Sequence, residues 1–343
     1  MMIVGCDLHT RYQQIAMLDE QTGELVERRL EHENGEARGF YQALRLPARV
    51  GIEATGHTQW FERLLEELGH ELWVGDAAQI RASAVRQQKT DQRDAALLLD
   101  LLLMHRFPRI WVASPADRDA RQLLWHRHKL VRMRTMVFNQ LHALAMSQGL
   151  CRRKKLFTRN GRGELERLSL GPWASRRRKE LLTLLDQLEA SLLPLEQAVR
   201  SEAQSRPEAV QLMTHPGIGP VSALAFVLII GPVARFQCSK QVVSYLGLNP
   251  REHSSGGRQR LGAISKQGNS LLRWLLVEAA QQAVRFDPEL RQDYQRLKFR
   301  RGHAVAKVAI ARKLAVRMYW MLRSGADYAR LVRRQGSPRG TLV

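Results

Sequence analysis

Four carboxylates in this chain stand where they could share a metal ion: Asp7, Glu53, Asp91 and Asp94. Asp7 closes the apolar run MIVGCD, and Glu53 closes a second run, RVGIE. Asp91 and Asp94 lie three apart in KTDQRDAALLLDLLL, a spacing that turns both to one side of a helix. Oxygen donors of this kind suit hard divalent cations. Two such ions about 4 Å apart can activate one oxygen and stabilise another at a phosphodiester. A second reactive group is offered by Ser254 and Ser255 in HSSGG, in a stretch that also carries Arg251, Arg258, Arg260 and Lys266. A serine that attacks phosphorus needs cations around the pentacovalent oxygens, and this segment supplies them. His253 is adjacent and could take the proton, although a structural or solvated role is its commoner use.

The charge balance points to the substrate class. Lys and Arg number 54 against 33 Asp and Glu, a formal charge of +21. Such an excess attracts polyanions at long range and says little about fold. A hydrophobic content of 44% is ample for real cores, which excludes a disordered basic tail. The three cysteines, Cys6, Cys151 and Cys238, show no paired spacing, so neither a disulfide framework nor a zinc site is expected and a reducing cytoplasm is the simplest setting. Ile3, Gly5 and Asp7 alternate along a strand, which puts Cys6 on the opposite face in a core role. No secretory signal is expected, and the most apolar run, AFVLIIG at 225–231, is too short to span a bilayer.

The elements that must position these groups follow from periodicity. MMIVGCD reads as a strand, and QQIAMLDEQTGELVERRLEH as a hairpin turning at Gly23. A helix over 36–46, the strand RVGIE, a helix around WFERLLEELG, the strand ELWVG and a helix from Asp91 to Met104 complete the unit. A hairpin followed by αβαβα is the order of an α/β, ribonuclease H-like sheet, in which carboxylates gather at adjacent strand ends and on one packed helix. A long helix is expected from Asp117 to Gln148, with apolar Leu123, Leu130, Val137, Leu141 and Leu144. Positions 152–179 hold the basic runs RRKK and RRRK and read as a loop or hinge that touches phosphates, or as a solvated linker. Leu181, Leu185, Leu188, Leu192, Leu195 and Val199 then form a heptad seam, which Pro194 should kink. Two such helices flanking a hinge predict an antiparallel coiled arm, packed within the chain or between subunits. After Pro207, MTHPGIGPVSALAFVLIIG suggests a helix–hairpin–helix with its turn at Gly217 and Gly219. The remaining segments are a helix near SKQVVSYLG, a mobile basic loop LNPREHSSGGRQRLGAISKQGN, a helix SLLRWLLVEAAQQAV and an amphipathic tail helix KVAIARKLAVRMYWMLRSG.

These motifs carry a resemblance. CDLHT with Asp7, GIEATG with Glu53, and KTDQRDA with Asp91 and Asp94 resemble the four-acid signature of the DEDD insertion-sequence transposases, understood as bridge-RNA-guided recombinases. PGIGPVSA followed by GLNPREHSSGGRQRLGAISKQGNSLLR resembles the C-terminal transposase domain of the same family, so nearly the whole chain is covered in family order. The resemblance implies three parts: a Holliday-junction-resolvase-like, ribonuclease H-like catalytic domain over 1–112, a helical coiled-coil arm with a basic hinge over 113–205, and a mostly α C-terminal domain over 206–343. It implies Mg2+ on Asp7, Glu53, Asp91 and Asp94, and a catalytic serine directly before glycine, Ser255, with Ser254 one residue away. It further implies double-stranded DNA at element ends and target, a structured bridge RNA, and a homo-oligomer, dimer or tetramer. The protein would then be cytoplasmic, at the nucleoid, without a membrane. The expected activity is excision and insertion of its own insertion sequence by magnesium-dependent, serine-mediated strand exchange, with the acidic and serine sites meeting within one subunit or across two. The rivals are a metal-dependent junction endonuclease without a covalent intermediate, and an inactive RNA/DNA-binding regulator.

Overall fold

Alternating apolar residues at the N-terminus fold as β1 (Met2–Leu8), which pairs antiparallel with β2 (Tyr12–Asp19). In turn β2 pairs antiparallel with β3 (Leu25–Glu31) after a turn in which Gly23 takes φ 74°. Next come α1 (Glu36–Gln42), β4 (Ala48–Glu53), α2 (Gln59–Glu67), β5 (Glu71–Gly75), α3 (Ala77–Ser83) and α4 (Asp91–Leu103). Both β4 and β5 run parallel to β1, giving the sheet order β3-β2-β1-β4-β5. The computed structural model describes residues 1–336 apart from 46, 57, 85–89 and 153–154, with side chains to residue 332.

Period-2 alternation sorts the two faces of the sheet. Val4, Cys6, Val50 and Ile52 pack with Tyr41 of α1 and with Phe61 and Leu65 of α2. Ile3 and Ala16 face the other way, toward Ala95, Leu98, Leu99 and Leu102 of α4. Cys6 is therefore a core residue, as the alternation required. Its Sγ donates to Gln13 Oε1 at 3.1 Å, and burial pushes the thiol far up, so it stays protonated and is no nucleophile.

Residues 1–112 and 113–343 form two compact units. The second opens with α5 (Pro115–Ser147), continues through α6 (Arg159–Glu166), and returns along α7 (Pro172–Gln204). Three contacts give the direction of the return: Arg206 pairs with Asp117 at 2.7 Å, Arg127 with Glu196 at 2.8 Å, and Arg177 donates to Gln140 at 3.0 Å. The pairing is thus antiparallel. Leu182, Leu185 and Leu188 are buried within the chain against Val137, Leu141 and Ala145.

Pro194 lies inside α7, which runs on past it at the expense of one backbone bond. One sequence expectation needs correction here. The run RRRK at 176–179 is helical rather than part of a hinge, because α7 already starts at Pro172. Arg is a good helix former, and Pro at the first position pre-sets the helix. Arg178 also donates to Leu165 O and Leu168 O at 3.0 and 2.7 Å, satisfying carbonyls at the end of α6. Within RRKK, Arg153 and Lys154 lie outside the described residues.

Beyond these, α8 (Pro207–Met213) and α9 (Pro220–Ile230) are joined by a turn in which Gly217 has φ 87°. They precede α10 (Ser239–Tyr245), the strands β6 (Pro250–Glu252) and β7 (Leu261–Ile264), α11 (Ser270–Phe286), α12 (Pro288–Ser324, broken at Gly302) and α13 (Tyr328–Gly336). The apolar run 225–231 is explained by α9, buried on nearly every side in the largest core of this unit. Among the described residues, no helix is long and apolar enough to cross a membrane.

Candidate active site

Position in the N-terminal unit is set by one residue without a side chain. A Cβ on Gly5 would fall 2.2 Å from Ala95 O and 2.4 Å from Leu99 N, so α4 rests directly on β1 there. Asp7 lies two residues further along the same strand face, and Asp91 and Asp94 occupy the first turn of α4. Thr90 caps that helix, its Oγ1 accepting from Arg93 N at 3.4 Å. The parallel register Cys6↔Ile52 sets Asp7 and Glu53 at neighbouring ends of β1 and β4.

Asp7 and Asp91 come together. His9 Nε2 lies 3.0 Å from Asp7 Oδ2 and 3.6 Å from Asp91 Oδ2, and the three ligand atoms all lie within 4.8 Å of one another. Tyr12 OH donates to Asp91 Oδ2 at 2.8 Å, which raises the phenol. Burial raises the Asp7 carboxyl above its ordinary value; the charge of His9 opposes this, and those of Asp94 and Asp91 add to it. Asp94 therefore acts on Asp7, although it stands outside the three-residue cluster. Glu53 also stands outside it, with Oε1 3.8 Å from Arg81 Nη2. A carboxylate whose proton affinity is raised by burial and by neighbouring carboxylates belongs to a donor set that a divalent cation would relieve.

His9 and Tyr12 were not singled out from the sequence. The signal for His9 was present, since residues two apart on a strand share a face. Tyr12 joins through pairing of β2 with β1, which sequence spacing does not reveal.

Ser254 and Ser255 lie in the C-terminal unit, and their surroundings correct a second expectation. The segment read as a mobile loop is a β-hairpin, in which Pro250 pairs with Ile264 and Glu252 with Leu261. His253 N donates to Arg260 O at 2.9 Å, and Arg258 N to Ser255 O at 3.1 Å. Gly256 and Gly257 have φ 58° and 76°, the two positive values of a type I′ turn. The two serines have different jobs in it. Ser254 Oγ donates to Glu252 Oε1 at 2.6 Å and accepts from Arg260 N at 3.0 Å, which ties the two strands together. Ser255 opens the turn and is exposed, and among the described residues its hydroxyl makes no hydrogen bond. Arg251, Arg258 and Arg260 are exposed on the same hairpin. Gly217 makes its close approach to Ala283 N of α11, 2.5 Å from where its Cβ would be, so this turn packs directly on a helix.

Comparison with known proteins supplies the family. Residues 209–295 match the model of the transposase IS116/IS110/IS902 family, and residues 4–147 match a DEDD transposase model of IS110. A probable family 20 transposase of Pseudomonas aeruginosa is 31% identical over 335 residues, covering 94% of this chain and 96% of its own. The chain belongs to the IS110 family of transposases. It is thus a DNA-cleaving recombinase, as the motifs implied, and its substrate is DNA. The transposase for insertion sequence element IS1111A of Coxiella burnetii is 26% identical, over 82% of this chain and 78% of its own. That for IS1328 of Yersinia enterocolitica is 28% identical, over 80% and 84%.

Proposed function

We propose that this transposase cuts DNA through Ser255, with Asp7, Glu53, Asp91 and Asp94 holding magnesium in a ribonuclease H-like domain. The observation that carries the acidic half is the approach of Asp7 and Asp91 from a strand end and a helix start to within one ion's reach. The sheet order β3-β2-β1-β4-β5, with α4 across it, supports the ribonuclease H-like reading. Bound magnesium would neutralise charge at the scissile phosphate. The chain's own part is to hold four oxygen donors on a strand pair and a helix that packing has already fixed.

In the serine step, Ser255 Oγ bonds to phosphorus while the bond from phosphorus to one bridging oxygen breaks. The leaving oxygen departs as a hydroxyl, so the count of phosphoester bonds is unchanged and the ends can be rejoined. Arg251, Arg258 and Arg260 would meet the phosphate oxygens. A second reading has a specific observation behind it: the Glu252 contact could make Ser254 the nucleophile. We favour Ser255, because Ser254 is engaged in holding the hairpin and Ser255 is the serine directly before glycine. A bridge RNA and a homo-oligomer belong to the same proposal, supported by the family resemblance; the charge of +21 permits the RNA.

Strand cleavage of DNA carrying the element ends tests the acidic half. Asp7→Asn and Asp91→Asn should each abolish cleavage in protein that still folds and binds DNA. Full activity in EDTA would sink the magnesium reading.

A further inference from the structure

We infer that His9 is a nitrogen ligand of the cation held by Asp7 and Asp91, and that it shifts the site's preference from Mg2+ toward Mn2+. The inference rests on the carboxylate site proposed above. A cation bonded at about 2.1 Å holds adjacent donors about 3.0 Å apart and opposite donors about 4.2 Å apart. His9 Nε2 is 3.0 Å from one carboxylate oxygen and 3.6 Å from the other, and all three atoms lie within 4.8 Å of one another. Those separations suit shared coordination with small adjustments.

The ring is also held in place from behind. Its centroid lies 4.7 Å from that of Tyr12, and Tyr12 OH donates to the same Asp91 oxygen at 2.8 Å. Arg29 sits over the other part of this stack, its guanidinium carbon 3.6 Å from the Tyr12 centroid. The backbone closes the arrangement, with His9 N donating to Tyr12 O at 3.0 Å. Outer contacts that fix ring orientation are what distinguish an oriented ligand from a loose surface histidine. A cation bonded to Nε2 requires the ring tautomer that carries its proton on Nδ1.

Chemistry then sets the preference. Magnesium is hard and is satisfied by oxygen and water, whereas an imidazole gains more from the transition metals. Exchanging one oxygen for a nitrogen therefore raises Mn2+ affinity relative to Mg2+. A bland alternative is that His9 only pairs with two surface carboxylates.

Electron spin-echo spectroscopy of Mn2+ on the full-length protein separates these cases. The parent should show 14N coupling from a coordinated imidazole, and His9→Ala and His9→Gln should both lose it. His9→Ala should weaken Mn2+ binding about tenfold and Mg2+ binding by less than about threefold, so that Mg2+ displaces Mn2+ more readily than from the parent. Mn2+ that Asp7→Asn releases but that shows no 14N coupling in the parent would overturn the inference and leave the carboxylate site standing. If Asp7→Asn alters binding of neither Mn2+ nor Mg2+, the carboxylate site itself fails and the inference with it.

Discussion

Gly5→Ala isolates the contact on which the acidic site is built. The added methyl would sit 2.2 Å from Ala95 O, 2.4 Å from Leu99 N and 3.0 Å from Leu99 Cα. All three are backbone atoms of a helix, so no side chain can swing away and α4 or β1 must shift by about 1 Å. Overpacking against a rigid neighbour costs about 3 kcal/mol, the upper end of the usual range. For a unit of this size that corresponds to a fall of about 10–20 °C in its melting temperature. Calorimetry of the full-length chain would read the shift, and hydrogen exchange of the β1 and α4 peptides would place it. Gly39→Ala is the control: nothing lies within 4 Å of its Cβ inside α1, so it should be neutral or stabilising by about 0.5–1 kcal/mol. Because α4 carries Asp91 and Asp94, Gly5→Ala should also weaken cation binding. A melting temperature within about 2 °C of the parent, with α4 protection unchanged, would refute the packing and the site geometry drawn from it.

Three further outcomes are expected. The folded-state pKa of Asp7 is raised, so the native state binds more protons than the unfolded state between the two values, and stability falls as pH rises through that window. Asp7→Asn should therefore stabilise the metal-free N-terminal unit at neutral pH and lose that advantage in acid; a stability difference that does not depend on pH would contradict this. Leu188, 5% exposed against α5, should tolerate Asp poorly, at a cost of about 3–5 kcal/mol, while sedimentation stays that of the parent; a change of oligomer would place the seam between subunits. Replacing Arg251, Arg258 and Arg260 with Ala should lower the salt dependence of DNA binding by about 2–3 in log–log slope, and an unchanged slope would mean that the hairpin does not meet phosphates.

The sheet was legible because its signals are local. Apolar alternation in MIVGCD and RVGIE, and the turn at Gly23, gave the strands and hairpin that the structure shows. The approach of Asp91 to Asp7 depends on Gly5, a residue whose value is an absence of atoms and which period-based reading passes over. The hairpin around Ser255 was misread from composition: Ser, Gly and Arg suggested a mobile loop, although Gly256–Gly257 is itself a type I′ signal. Charge misled in the same way at 176–179, where a run of arginines suggested a phosphate-touching hinge or a solvated linker and in fact lies inside α7. The role of Arg178 as a cap on α6 depends on residues 10 and 13 positions away, beyond any local pattern.

The central claim is that Ser255 becomes covalently attached to DNA. Trapping the full-length transposase on DNA carrying its element ends, then digesting the complex and mapping the linked residue by mass spectrometry, tests it most directly. The expected result is a phosphodiester on Ser255, absent in Ser255→Ala and retained at least in part in Ser254→Ala. Attachment at Ser254, or cleavage by the parent with no trappable adduct, would contradict it.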